Sequence, residues 1–300
     1  MKKKLFFTFL IACISFKGFA QLSAVDYSSE EFTQFKGSKT YIVKTGNARF
    51  DEELANAMKD LWKVTPYESI DDKDLETKLI DKSASFILSI IISTGTPNQN
   101  YHYLALINGG KKKVSKYGYD DMLAYCPINH WSNEFENTAC AYRVRNMVES
   151  MVQSMDIVQK NNIHGSSKAI ADGLRKVYNE KASRIKDRTL LFCEETLAPS
   201  MGKKPKPEDL AKLANTYKTM LSGNYPYKFE MCNMQKLEQV IKDKSTEYYY
   251  FQPAITLNKS MFVFDPSNGE VLYFDYQIQG LKITDDNIKD LANTIKTGKK

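Results

Sequence analysis

The side chains that most often carry protein chemistry are few in this sequence. It has three histidines, His102, His130 and His164. Cys126, His130 and Cys140 form a C-x3-H-x9-C pattern, which would place three zinc ligands on one loop. A structural zinc site needs a fourth ligand, and no C-x2-C pair supports this pattern. The spacing therefore predicts no metal site.

Other catalytic patterns are missing as well. The sequence has no G-x-S-x-G nucleophile motif, and the stretches FKGSKT at 35–40 and MGKKPKP at 201–207 lack the frame of a phosphate loop. Three acidic pairs are of the kind that favours helix starts through the helix dipole: Asp71-Asp72, Asp120-Asp121 and Asp285-Asp286. These patterns predict no catalytic residue and no cofactor.

The first twenty residues have the features of a secretory signal peptide. Residues 1–4 are basic apart from the initial Met, residues 5–16 are mostly apolar, and GFA at 18–20 suits a cut after Ala20. Cys13 lies in LIAC, which resembles the lipobox of bacterial lipoproteins. The short apolar stretch, with Ile14 and Phe16 where a polar tether is usual, favours ordinary cleavage over lipidation. We therefore expect an exported protein, in the periplasm or at the outer-membrane periphery.

The charge balance after this leader argues against a nucleic-acid partner. Four lysines lie in the leader, so the net charge falls from +6 to +2. Nucleic-acid binders concentrate basic residues on one face, whereas here the largest clusters, at 111–113 and in the carboxyl-terminal tail, are interpreted as solvated surface. No segment after the leader approaches the roughly 18 apolar residues of a membrane helix. We expect no transmembrane segment, with peripheral outer-membrane association still open.

Four cysteines follow the leader and are candidates for disulfides: Cys126, Cys140, Cys193 and Cys232. An even number in an oxidising compartment permits pairing, and four cysteines allow three pairings. A Cys126–Cys140 disulfide and ordinary free thiols are both compatible with the sequence. Cys193 and Cys232 lie at the ends of two predicted strands, so a bridge between them requires those strands to be neighbours.

The elements that must position these residues come in two copies. LAN..K at 54–59 recurs at 213–218, Pro66-Tyr67 recurs at 226–227, and LETKLIDKS at 75–83 recurs as LEQVIKDKS at 237–245. Asn108-Gly109 recurs at 268–269. Matches that keep their order and nearly the same offset indicate that one module is duplicated.

Each copy has the same local pattern. A short apolar run (TYIV at 40–43, TLLF at 189–192) predicts a buried strand, and an amphipathic helix follows. Asp51 is expected to cap the first of these helices, and Pro207 to begin the second. A strand, a short helix, a β-rich run and an Asn-Gly hairpin complete the copy.

We therefore predict an α/β (α+β) fold with two tandem β-α-β-α-β-β-β modules joined by a long helical segment. The first module is placed at 38–130, the helical connector at 131–187 and the second module at 188–298. In the connector, apolar residues share one helical stripe: Val144, Met147, Val148, Met151, Val152 and Met155. Such a stripe is interpreted as core, with an adaptable partner surface as the alternative.

Aromatic side chains supply the one candidate binding surface. YYYF comprises Tyr248, Tyr249, Tyr250 and Phe251, and strand alternation places two of these on each sheet face. If helices cover only one face, the other pair is open to a partner. Burial beneath the connector helix is the alternative.

The second module carries a resemblance to a known group of domains. MFVFDPSNGEVLYFDYQI at 261–278 resembles the final hairpin of the TolB amino-terminal domain and of CsgG-like envelope lipoproteins, in which Asp, a short turn and Gly-Glu separate two apolar strands. Asp265, Gly269 and Glu270 match that pattern, whereas the first copy lacks both the Asp and the Glu. The resemblance implies a non-enzymatic interaction module whose partners are other envelope proteins, and it transfers no site.

Two rival functions remain open at this stage. One is an exported hydrolase with a site between the modules, to which His130 or Cys126 contributes. The other is a two-lobed protein that closes on a small molecule.

Overall fold

The computed structural model describes residues 30–93, 100–117, 121–129, 143–165, 167–198, 206–255, 258–278 and 282–298. The predicted signal peptide, Cys13, His130 and Cys140 lie outside the described residues. What was inferred about them remains a prediction.

The first module contains strands β1 to β5 and helices α1 to α4. The strands are β1 Lys39–Val43, β2 Tyr67–Ile70, β3 Ala84–Ser93, β4 Asn100–Asn108 and β5 Met122–Asn129. The helices are α1 Glu30–Lys36, α2 Ala48–Leu61, α3 Asp72–Leu79 and α4 Arg143–Lys160. A 3-10 turn at Val114–Lys116 lies between β4 and β5.

The second module repeats this order after helix α5 and a 3-10 segment at Ala182–Asp187. Its strands are β6 Thr189–Cys193, β7 Phe229–Cys232, β8 Tyr248–Ile255, β9 Asn258–Phe264 and β10 Val271–Ile278. The helices are α5 Ser167–Asn179, α6 Glu194–Leu197, α7 Pro207–Asn224, α8 Met234–Lys242 and α9 Asp285–Thr297.

Both sheets have the same strand order, which confirms the predicted fold of two tandem α/β modules. The first sheet runs β2-β1-β3-β4-β5 and the second runs β7-β6-β8-β9-β10. In each sheet the first three strands are parallel, and the last two join antiparallel. Parallel neighbours require crossover helices, which is why β1, β2 and β3 alternate with α2 and α3.

Helices cover both faces of each sheet. On the first sheet, α1, α2 and α4 pack on one face and α3 packs on the other. On the second sheet, α7, α9 and the 3-10 segment lie on one face, with α5 and α8 on the other. The hydrophobic core is thus divided into a layer on each side of each sheet.

Helix α4 belongs to the core of the first module as well as linking the two. Five residues of the predicted apolar stripe are buried against β5, α2 and their neighbours, which confirms the core interpretation: Val144, Met147, Val148, Met151 and Met155. Further along α4, Val158 contributes to the core of the second module. The helix is therefore shared between the two cores.

The two Asn-Gly pairs are not equivalent in the structure, contrary to prediction. Ile107 and Phe264 are the equivalent strand residues, because each pairs with the third position of the central strand, Phe86 or Tyr250. Asn108 therefore corresponds to Asp265 and not to Asn268. The first pair ends β4 ahead of a long connection, whereas the second lies in the tight turn between β9 and β10. A dipeptide alone does not set the length of the loop that follows it.

The cap of helix α2 also differs from prediction. Asn47 is the N-cap residue, since its side-chain oxygen accepts a hydrogen bond from the Phe50 amide at 3.1 Å. Asp51 instead binds the loop before the helix. Pro207 occupies the first turn of α7 as predicted.

Candidate functional site

The aromatic residues proposed as a partner surface are covered on both sides. Tyr249, Tyr250 and Phe251 are 2%, 2% and 1% exposed, and Tyr248 is half-buried. Tyr249 and Phe251 pack with α7 and α9, whereas Tyr250 packs with α5 and α8. The expectation that one face of this strand is open is therefore wrong, because helices cover both faces of the sheet.

A crevice of about 590 Å³ lies at the carboxyl edge of the first sheet. Its walls come from the end of β1, the middle of β3, the start of α3 and the turn at 114–116. Helices α2 and α3, which follow the neighbouring strands β1 and β2, leave to opposite faces of the sheet. Doubly wound α/β folds bind their ligands at this kind of divergence. We therefore take this crevice as the candidate functional site.

The crevice has an apolar floor and a polar rim. Val43, Leu75 and Leu88 are buried side chains that contribute apolar surface. The rim carries hydroxyl and charged groups, which are Lys44, Thr45, Asp51, Asp71, Asp72 and Ser89. Three carboxylates against one ammonium make the rim acidic.

The loop after β1 is held in place by one carboxylate. Asp51 accepts hydrogen bonds from the Thr45 amide and hydroxyl, both at 2.8 Å, and from the Gly46 amide at 3.1 Å. Gly46 has a φ of +83°, a conformation that glycine adopts at little cost. The rim of the crevice is therefore preformed.

One ion pair closes part of the rim. Lys44 Nζ lies 2.8 Å from Asp71 Oδ1, and both side chains are half exposed. The hydrogen bond from Lys44 lowers the pKa of the Asp71 carboxyl, and the same bond raises the pKa of Lys44. Because the pair is exposed, a charged ligand can compete for either partner. Asp72, beside this pair, is also exposed.

Replacing Asp51 with alanine should loosen the rim without unfolding the module. Three acceptor contacts disappear, so we expect a loss of about 1–2 kcal/mol in the free energy of unfolding. Amide hydrogen exchange of residues 44–47 should accelerate, measured by mass spectrometry. Glu52→Ala, at an exposed position one residue along, is the matched control and should leave both quantities near wild type. Equal protection of the loop in both variants would contradict this role.

The three described cysteines are buried and are present as thiols in this structure. Cys126 lies in the core beneath α4, and burial raises the pKa of its thiol to about 12. Catalytic thiols have lowered pKa values and partial exposure, so this position gives the hydrolase hypothesis no support. Cys193 and Cys232 end the neighbouring strands β6 and β7 and lie directly opposite each other. The condition set by the sequence for a bridge between them is therefore met.

Two described contacts between the modules are direct and buried. Arg143 of α4 donates a hydrogen bond to Gln252 Oε1 at 2.7 Å, and Asn146 donates to the Tyr250 hydroxyl at the same distance. All four residues are buried. These contacts close this part of the space between the modules, where both rival functions place their site.

The hairpin that carries the family resemblance is explained by structural contacts. Asp265 accepts hydrogen bonds from the amide and hydroxyl of Ser267 within the turn, and Gly269 has a φ of +74°. Burial alone would raise the pKa of the Glu270 carboxyl, but hydrogen bonds from Lys181 and Arg184 outweigh it and lower that pKa. Asp265 and Gly269 thus shape the turn, and Glu270 fastens it to the body of the module.

Among the residues that the structure describes, no group of three or more His, Cys, Asp or Glu side chains is placed to hold a metal ion. Within the same residues, every helix is too short or too polar to cross a membrane.

Comparisons with protein-family models, curated proteins and solved structures found no match to this chain. The fold and the crevice define it as a tandem α/β protein with a crevice at the carboxyl edge of its first sheet.

The sequence analysis did not identify the crevice. Thr45, Gly46 and Ser89 belong to no motif, and Val114 lies in a segment with no clear periodicity. The available signal was indirect. Predicted parallel strands end at one edge, so polar residues just after 43 and 70 could have been grouped as neighbours.

Proposed function

We propose that this chain is an exported, non-enzymatic protein of the bacterial cell envelope that acts as a protein-interaction module. Its tandem domains would be of the TolB amino-terminal and CsgG-like type. The acidic crevice at the carboxyl edge of the first sheet carries the proposal, because it is a preformed concave site. The features of residues 1–20 support export.

The lining of the crevice selects the chemistry of its partner. An apolar floor with an acidic rim suits a lysine or arginine side chain next to an apolar one, so that the cation meets carboxylates while its neighbour is buried. A flexible segment of another envelope protein with this composition would fit. Nucleic acid would be repelled by the same carboxylates.

A second candidate is supported by the volume of the crevice. About 590 Å³ falls within the range of small-molecule pockets, which is roughly 300–1,000 Å³. A small amine would meet the same carboxylates. In this case the chain would be a small-molecule binding protein with its site inside one module and not between two lobes.

Reversing one charge of the rim tests the site. Asp72→Lys puts a cation where the partner's cation is proposed, and we expect at least about tenfold weaker binding. Asp74→Lys is the matched control, because Asp74 is an exposed acidic residue of the same helix but does not line the crevice. Binding is read from photo-crosslinking through a reactive residue at position 89 in envelope extracts.

The outcomes separate the two candidates. A crosslinked protein that Asp72→Lys loses and Asp74→Lys keeps supports a protein partner. A thermal shift with an amine from a metabolite panel, and no crosslinked protein, supports the small-molecule function. If the wild-type chain gives neither a crosslinked protein nor a thermal shift, the crevice is not a binding site.

A further inference from the structure

The carboxyl edge of the second sheet carries two thiols where the first sheet carries two apolar side chains. Cys193 pairs with Cys232 across β6 and β7, at the last position of each strand. In the first module, Val43 pairs with Ile70 across β1 and β2 at the same positions. At this matched pair of buried positions, the first module thus has two apolar side chains and the second has two thiols.

This comparison shows that the fold does not need sulfur there. Val43 and Ile70 are 4% and 6% exposed, and Cys193 and Cys232 are 1% and 4% exposed, so the packing demand is similar. A branched apolar pair satisfies that demand in the first module. Having both members of the pair as cysteine in the second module therefore calls for a reason beyond packing.

The geometry suits a covalent bond. Neighbouring strands lie about 4.8 Å apart, and residues that are opposite each other fall within the roughly 4.4–6.8 Å Cα separation that disulfides use. Burial, followed by a hydrogen bond with Cys232, raises the pKa of the Cys193 thiol. The Cys193 thiol also donates to Glu195 Oε2 at 3.2 Å. The two sulfur atoms are thus in mutual reach.

No other described thiol competes for either cysteine. Cys126 is buried in the core of the first module, beneath α4, whereas Cys193 and Cys232 share the core formed by α5 and α8. Cys126 therefore packs in a different core and is not placed to pair with either of them.

We propose that Cys193 and Cys232 form a disulfide that joins β6 to β7 and closes the stretch 194–231, including α7. The proposal rests on the proposed export only for its oxidant, a disulfide-bearing protein of an oxidising compartment. The bond constrains the carboxyl edge of the second sheet, at the position that corresponds to the crevice of the first sheet.

The bond forms by thiol–disulfide exchange. One cysteine thiolate attacks the disulfide of the oxidant protein and forms a mixed disulfide, and the second thiolate then attacks the sulfur of the first cysteine. The oxidant protein leaves as a dithiol, having gained two electrons and the two protons of the cysteine thiols. Because both thiols are buried in the folded state, exchange is fast only before this edge closes.

Refolding of the full chain in vitro tests the pairing independently of where the protein is located. The denatured chain is refolded in a mixture of oxidised and reduced glutathione, trapped by alkylation under denaturing conditions, and digested without reductant. We expect a linked peptide pair containing residues 193 and 232. We also expect a fall of roughly 5 °C or more in Tm when reductant is added before unfolding.

Two variants separate the bond from packing. Cys193→Val combined with Cys232→Ile installs the pair used by the first module, and its Tm should not respond to reductant. Cys126→Ala is the control thiol variant and should keep the wild-type response.

The proposal is overturned if both cysteines are alkylated without reduction, or if either is bonded to another cysteine. It is equally overturned if the double variant keeps the reductant response. If the double variant does not fold, the peptide masses of the wild-type chain still show whether Cys193 and Cys232 are bonded to each other. Cell fractionation tests export separately. An intracellular location would contradict the proposed export, but it would not change the result of the refolding experiment.

Discussion

Replacing Gly109 with alanine is expected to lower the free energy of unfolding by about 3 kcal/mol. A Cβ atom at this position would lie 2.0 Å from the carbonyl oxygen of Asp81 and 3.1 Å from that of Ala84. Both are backbone atoms, so no side-chain rotation can relieve the overlap. The Gly109 amide also donates to the Ala84 carbonyl at 2.8 Å, and moving the backbone away would break this hydrogen bond.

Urea unfolding monitored by circular dichroism measures this loss. Gly223→Ala is the matched control, since Gly223 is an exposed glycine of helix α7 with nothing within 4 Å of an added Cβ. That variant should gain roughly 0.5–1 kcal/mol from helix propensity. If the free energy of unfolding of Gly109→Ala is within about 0.5 kcal/mol of the wild-type value, the end of β4 does not approach the 81–84 turn this closely.

Truncating Trp62 to alanine should cost about 3–5 kcal/mol, the range for large buried aromatic side chains. Trp62 is 2% exposed and makes an edge contact with Phe35 at 6.2 Å between ring centroids. Its indole N–H donates to the Thr65 hydroxyl at 3.0 Å. The substitution therefore removes packing of α1 against α2 and a buried donor together.

The hydroxyl that Trp62 binds belongs to a buried polar cluster. Thr65 contacts Thr40, Thr40 lies 2.8 Å from Ser85, and Ser38 donates to Ser85 at 2.7 Å. All four hydroxyl residues are buried, so losing one donor leaves an acceptor short of a partner.

Trp62→Phe separates the two contributions. It keeps most of the apolar contact and removes the indole N–H, so we expect a smaller loss of about 1–2 kcal/mol. Thermal and urea unfolding of both variants provide the comparison. Equal losses for alanine and phenylalanine would mean that the hydrogen bond, and not the packing, dominates at this site.

Much of the architecture could be predicted because it depends on local periodicity. The spacing of Leu54, Ala57 and Met58 reflects the 3.6-residue turn of a helix, and all three are buried as expected. The same reasoning placed Val144 and Met147 in a core. Helix α1 was overlooked, although Phe32 and Phe35, both buried, already have the i, i+3 spacing of one helical face.

Errors arose where the outcome depends on what packs from elsewhere in the chain. The alternation of Tyr249 and Tyr250 correctly separated the two faces of β8, but no local pattern shows that α7 and α9 cover one face and α5 and α8 the other. The Asn-Gly dipeptide at 108–109 predicted a tight hairpin, whereas the glycine is needed for close approach to the turn at Asp81.

The amino-acid order alone indicated two copies of an α/β module and the buried faces of α2, α4 and α7, because these follow from the backbone periods of 3.6 and 2 residues. Only the folded chain placed Cys193 opposite Cys232, and only it gathered Lys44, Asp72 and Ser89 around one crevice. Such groupings depend on strand register and on which crossover covers which face. Strand register, and the choice of helices that pack on each face of a sheet, depend on contacts between residues far apart in the chain. A local sequence pattern does not predict these contacts.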